Sequence, residues 1–186
     1  MKFNYKKFGF VCCLLLTAIL CRLLSPVPNF NPTTAIVLFS SFLFPFYISI
    51  TIPLFIMILS DVFFFGFDPT ISPFVYLSLV LVVVFGNFSR GRKISFIYPV
   101  LLSSLAFFVI TNAASWYFMS DINNPEWLAY TRDLRGLISS YIAAIPFFKN
   151  SFYADIIYNC VLFGSYSLAS MKFPELRREY FLSTEV

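Results

Sequence analysis

Long apolar runs fill most of this chain, and short polar or proline-rich stretches separate them. Residues 8–24 form the first run, behind Lys2, Lys6 and Lys7. Residues 34–65 form the second. One helix over that run would extend about 48 Å, well beyond a hydrocarbon core of about 30 Å. Pro45 and Pro53 interrupt it, so the pattern predicts two short spans, near 34–47 and 49–66. Further spans are expected near 74–88, 95–119 and 152–171. Residues 137–148 are apolar but few, and Pro146 lies among them. That length suits an interfacial or re-entrant segment better than a span. The expected fold is therefore an all-α integral membrane protein: one domain over residues 1–186, a compact bundle of six transmembrane helices, with the extra segment near 137–148.

Basic residues set the expected orientation. With six spans, nine of the 13 Lys and Arg share one side: Lys2, Lys6, Lys7, Arg90, Arg92, Lys93, Lys172, Arg177 and Arg178. Reading 34–65 as one span, or 137–148 as a further span, scatters them across both sides and breaks the positive-inside rule. Both termini are thus expected in the cytoplasm and the protein in the cell's inner membrane. No small-x-small cleavage site follows the first run, so it is expected to be a retained span rather than a signal peptide.

Polar residues then stand out by their places on these spans. In the run Phe107-Phe108-Val109-Ile110-Thr111-Asn112-Ala113-Ala114-Ser115-Trp116, a membrane helix turns polar, and Asn112 and Trp116 share one face. Asp61 closes the third span, and Asp155 and Asn159 open the sixth with Tyr166 further along their face. Intramembrane carboxylates mark functional sites by default. The stretch Ser25-Pro26-Val27-Pro28-Asn29-Phe30-Asn31-Pro32-Thr33 cannot continue a helix. Its rigidity and its amides suit a loop that lines a site. On the expected topology these groups gather in the outer leaflet. Asn29, Phe30, Asn31, Asp61, Asn112, Trp116, Asp155, Asn159 and Tyr166 are the candidate substrate-binding residues, with Arg22 as the charge partner of Asp61 or Asp155. Interhelical hydrogen bonding is the plain alternative for any one of them, and an interfacial belt is the plain alternative for Trp116. Cys13, Thr17 and Cys21 form a small-residue stripe that lets another helix come close, inside the bundle or on a partner.

Composition supports the membrane reading and narrows the chemistry. The chain is 59% hydrophobic and 12% charged, with mean hydropathy +0.81; a soluble domain carries about 25% charged residues. There is no His, which removes His-dependent metal sites and Ser–His catalysis. The four Cys lie in apolar runs without CxxC spacing, and no phosphate-binding glycine loop is present. No metal, cofactor or catalytic residue is expected, and no nucleic-acid partner. The expected partners are the bilayer and a small-molecule solute.

The patterns Arg22-Leu-Leu, Pro28-Asn-Phe-Asn-Pro-Thr, Leu59-Ser-Asp61, Phe108-Val-Ile-Thr-Asn112 with Trp116, and Tyr141-Ile-Ala-Ala-Ile-Pro146-Phe-Phe with Asp155 resemble an uncharacterised family of bacterial six-span membrane proteins. That family is similar in turn to the S-components of energy-coupling factor transporters. The resemblance implies uptake of a vitamin-like micronutrient through an outward-facing pocket. It also implies docking, through Cys13, Thr17 and Cys21, to a membrane coupling protein driven by two ATPases. Two other functions are expected to leave different marks. A structural or assembly protein needs no pocket, and an intramembrane enzyme would use Asp61 and Asp155 as an acid–base pair.

Overall fold

The computed structural model describes residues 23–90, 97–119 and 130–176, preceded by Gly9, Cys13, Leu16, Thr17, Ile19, Leu20 and Cys21. These seven are helical, as are Leu23 and Leu24. Arg22 lies outside the described residues. Five further helices follow: α1 (Thr33–Leu43), α2 (Phe46–Ser60), α3 (Ser72–Ser89), α4 (Ile97–Met119) and α5 (Leu134–Lys172). A π-helical turn, Asp61–Phe65, extends α2. Among the described residues there is no strand.

Among the described residues, three stretches are long and apolar enough to cross a membrane: Phe46–Phe64, Ser72–Ser89 and Ile97–Phe118. Their outward faces carry exposed Phe55, Phe63, Phe64, Leu77 and Leu105. In water such a surface would be an aggregation liability; against lipid tails it is matched.

The expected break in the second apolar run occurs at Pro45 alone. Phe44 is extended (φ −109°, ψ 161°), the conformation that a following proline favours. Pro45, which has no N–H to donate, then opens α2. Pro53 sits inside α2 without ending it. The carbonyl that Pro53 leaves without its helical donor is that of Ser49, and the Ser40 hydroxyl lies 3.5 Å from it, a long contact that partly fills the gap. The Ser49 hydroxyl in turn reaches the carbonyls of Ser40 (3.1 Å), Phe44 (3.1 Å) and Pro45 (3.0 Å), stitching α1 to α2.

The expected separation of 137–148 from 152–171 is corrected. Both belong to α5, one helix of 39 residues with Pro146 inside it. At 1.5 Å per residue it runs about 58 Å. Its start is built by Asp133, whose carboxylate accepts from the Gly136 N–H (2.7 Å) and the Thr131 hydroxyl (2.7 Å). Position 136 must be glycine, because a Cβ there would lie 1.8 Å from the Thr131 carbonyl oxygen.

Helix α1 is the centre of the bundle. Ten of its eleven residues are buried, so no face is left for lipid, and it touches α2, α3, α4 and α5. Phe39 packs edge-on against Phe163 (5.2 Å) and Tyr166 (5.9 Å) of α5, with Ala35, Ile36, Leu43 and Leu162 around them. On its other side Val37 and Leu38 pack with Met57, Leu79, Val82, Val83 and Val100. Its buried hydroxyls turn inward: Ser40 donates to the Val37 carbonyl (2.8 Å) and Ser41 to that of Leu38 (2.6 Å). The open carbonyls at its C-terminal end are met by Arg90, whose guanidinium donates to the carbonyls of Ser41 and Phe44.

Candidate functional site

At the N-terminal end of α1 the bundle opens into a cavity of about 330 Å³. Its walls follow helical spacing. On α4 they are Ser104, Phe107, Phe108, Thr111 and Asn112, the i, i+3, i+4, i+7, i+8 pattern of one face. On α5 they are Ala144, Phe147, Phe148, Ser151 and Asp155, again one face. Thr33 and Thr34 close one end, and Met57 and Val75 complete the apolar lining.

The proline-rich loop forms the remaining wall through Asn29 and Asn31. Asn29 adopts a left-handed conformation (φ 59°), which Asn tolerates better than most residues. The loop is tied down across α5. Asn150 donates to the Pro28 carbonyl (3.1 Å) and Ser151 to that of Asn29 (3.1 Å). Within the loop, Ser25 donates to the Phe30 carbonyl (2.5 Å). The Asn31 side chain accepts from the Thr33 N–H (3.1 Å) and so caps the start of α1.

Asp155 is the one ionisable side chain on the cavity wall among the described residues. It is 3% exposed. The Ser104 hydroxyl donates to it (2.5 Å). The aromatic half is made by Phe107, Phe108, Phe147 and Phe148, with the Phe108 and Phe148 rings 4.4 Å apart. The cavity therefore has an apolar aromatic part and a polar part, the arrangement of small-molecule sites. Among the described residues no group of three or more metal-binding side chains forms.

Of the residues expected from sequence, the structure brings Asn29, Asn31, Asn112 and Asp155 to this one cavity. The others have different surroundings. Asp61 accepts from the Tyr76 hydroxyl (2.9 Å). Phe30 packs on Tyr158 at 5.9 Å, against the flank of α5. The Trp116 indole N–H donates to the Thr131 carbonyl (2.9 Å), tying the end of α4 to the approach to α5. Asn159 is fully buried one turn beyond Asp155 and donates to its carbonyl (2.7 Å). The Tyr166 hydroxyl donates to the Leu176 carbonyl (2.7 Å). Cys13 and Thr17 are exposed, while Cys21 is half-buried against Tyr158. The four phenylalanines, Ser104, Thr111 and Thr34 also line the cavity. The sequence signal for the α4 group was its helical spacing, hidden because Phe and Ser are ordinary residues of a membrane helix.

No curated protein and no solved structure matches this chain. A family model matches it over residues 2–176, the whole described fold and all of the cavity. The chain therefore belongs to that family, a family of unknown function (DUF6580).

Proposed function

We propose that this protein is the solute-binding membrane subunit of an uptake system. A micronutrient-sized molecule enters the cavity from the outer face, and a partner module with its own ATPases drives its transfer. In this reading the N-terminal helical residues and α1 to α5 make a six-span, S-component-like bundle in the cytoplasmic membrane, with both termini inside. The convergence of Asn29, Asn31, Asn112 and Asp155, from three separated chain segments, on one partly aromatic cavity carries the reading. Holding helices together asks for no such opening, because interhelical polar contacts work best in closed packing.

The test is thermal unfolding of the purified protein against a panel of vitamins and cofactor precursors. A ligand at one hundred times its Kd adds about 2.7 kcal/mol to stability, a readily measured rise in Tm. No rise for any compound, with no small molecule retained through purification, refutes solute binding. The exposed Cys13 and Thr17 favour a second reading, an assembly protein that uses this face and needs no ligand. In that case a strain carrying Asn112→Ala with Asp155→Ala keeps its growth phenotype, and changes at Cys13 and Thr17 lose it.

A further inference from the structure

We infer that the ligand of this cavity is a small organic cation, a protonated amine or charged nitrogen heterocycle on a flat apolar body. The inference rests on the solute-binding reading and adds the chemical class. Charge is the first ground. Asp155 is the sole ionisable side chain of the lining, and among the described residues no Lys or Arg joins it there. An anionic ligand would be brought close to a buried carboxylate in a low-dielectric setting.

Hydrogen-bond capacity is the second ground. On α4 and α5 the hydroxyl donors of the lining are spent within the protein. Asn112 donates to the Phe108 carbonyl (2.8 Å), Thr111 to that of Phe107 (2.7 Å) and Ser151 to that of Asn29 (3.1 Å). Ser104 donates to Asp155 itself (2.5 Å). The hydroxyls keep their lone pairs, and Asn112 keeps its carbonyl oxygen and one N–H. A carboxylate has about four acceptor sites, and Ser104 occupies one of those on Asp155. Asp155 thus retains acceptor sites for a ligand donor, while the amides of Asn29, Asn31 and Asn112 serve a ligand group of either kind. The aromatic wall is the third ground. Phe107, Phe108, Phe147 and Phe148 line the cavity with Asp155, and an aromatic ring attracts a cation placed over its face.

A matched series separates the outcomes: 2-phenylethylamine, 2-phenylethanol and 3-phenylpropionate share one aromatic body and differ in end charge. Binding is measured on the purified full chain in nanodiscs of zwitterionic lipid near neutral pH. The amine is expected to bind at least tenfold more tightly than the acid, about 1.4 kcal/mol. Asp155→Asn is expected to erase that preference while the alcohol still binds. Should this variant fail to fold, the wild-type series alone decides. Acid binding equal to or tighter than amine binding overturns the cation inference and leaves solute binding standing. An amine preference that persists in folded Asp155→Asn overturns the inference as built on Asp155. No binding of any of the three up to about 10 mM, with no molecule retained through purification, overturns both.

Discussion

Gly86→Ala tests whether α1 is held as tightly as the packing implies. Gly86 lies on α3 where that helix crosses α1. A Cβ at this position would lie 1.7 Å from the Ser41 Oγ, 2.8 Å from the Ser41 Cβ and 3.0 Å from the Leu38 Cδ1. The Ser41 hydroxyl could rotate away only by giving up its bond to the Leu38 carbonyl, and the Cβ contact would remain. Forcing a methyl group into such a site costs about 1–3 kcal/mol. Against this, Gly→Ala inside a helix gains about 0.5–1 kcal/mol. The expected net loss is about 1–2 kcal/mol. Chemical unfolding of the purified protein in detergent, with helix content as the signal, measures it. Ser41→Gly removes both close atoms at the cost of a glycine in α1, so in the double variant the two changes should compensate. A double-mutant cycle is expected to give a coupling of at least about 1 kcal/mol. Unchanged or raised stability of Gly86→Ala, or simple additivity in the cycle, would refute a close α1–α3 crossing.

Three further outcomes are expected. Arg90→Met strips the C-terminal end of α1 of the cation that meets the Ser41 and Phe44 carbonyls and should cost about 1.5–3 kcal/mol in the same unfolding assay; Arg90→Lys should recover part of it. The Asp133 carboxyl is held below its ordinary value of 3.8, chiefly by the Thr131 hydroxyl and then by the Gly136 N–H. Because its folded pKa is depressed, its contribution is full above that ordinary value and is lost as pH falls through the folded value. The Tm difference between wild type and Asp133→Asn should therefore be level near neutral pH and shrink only below pH 3.8. Asn112→Ala removes a side chain from the cavity wall but leaves the helix backbone bonded, so Tm should change little while binding of any cavity ligand weakens about tenfold.

Much of the fold was legible in the sequence because membrane helices announce themselves by length and apolarity. The runs that became α2, α3 and α4 could hardly be anything else. Prolines were harder, since their effect depends on whether a neighbour takes up the carbonyl they orphan. Pro45 broke the helix because Phe44 went extended, whereas Pro53 did not, with Ser40 near the freed oxygen. Pro146 stayed inside α5 in an apolar stretch too short to be recognised as part of a longer helix. The polar residues divided for a related reason. A side chain such as Asp61 or Asn159 can be satisfied or enclosed within the bundle, and only the three-dimensional neighbour, here Tyr76 or the Asp155 carbonyl, says so. Trp116 shares a helix face with Asn112, but it stands one turn further along, at the mouth of the α4–α5 connection.

Helix α1 has one more consequence. It is about 16 Å long, enclosed along its whole length, capped at one end by Asn31 and gripped at the other by Arg90. Thr33 and Thr34 at its N-terminal end border the cavity, and the Ser41 and Phe44 carbonyls at its other end meet Arg90. One buried helix of about three turns is all that separates the cavity wall from that cation.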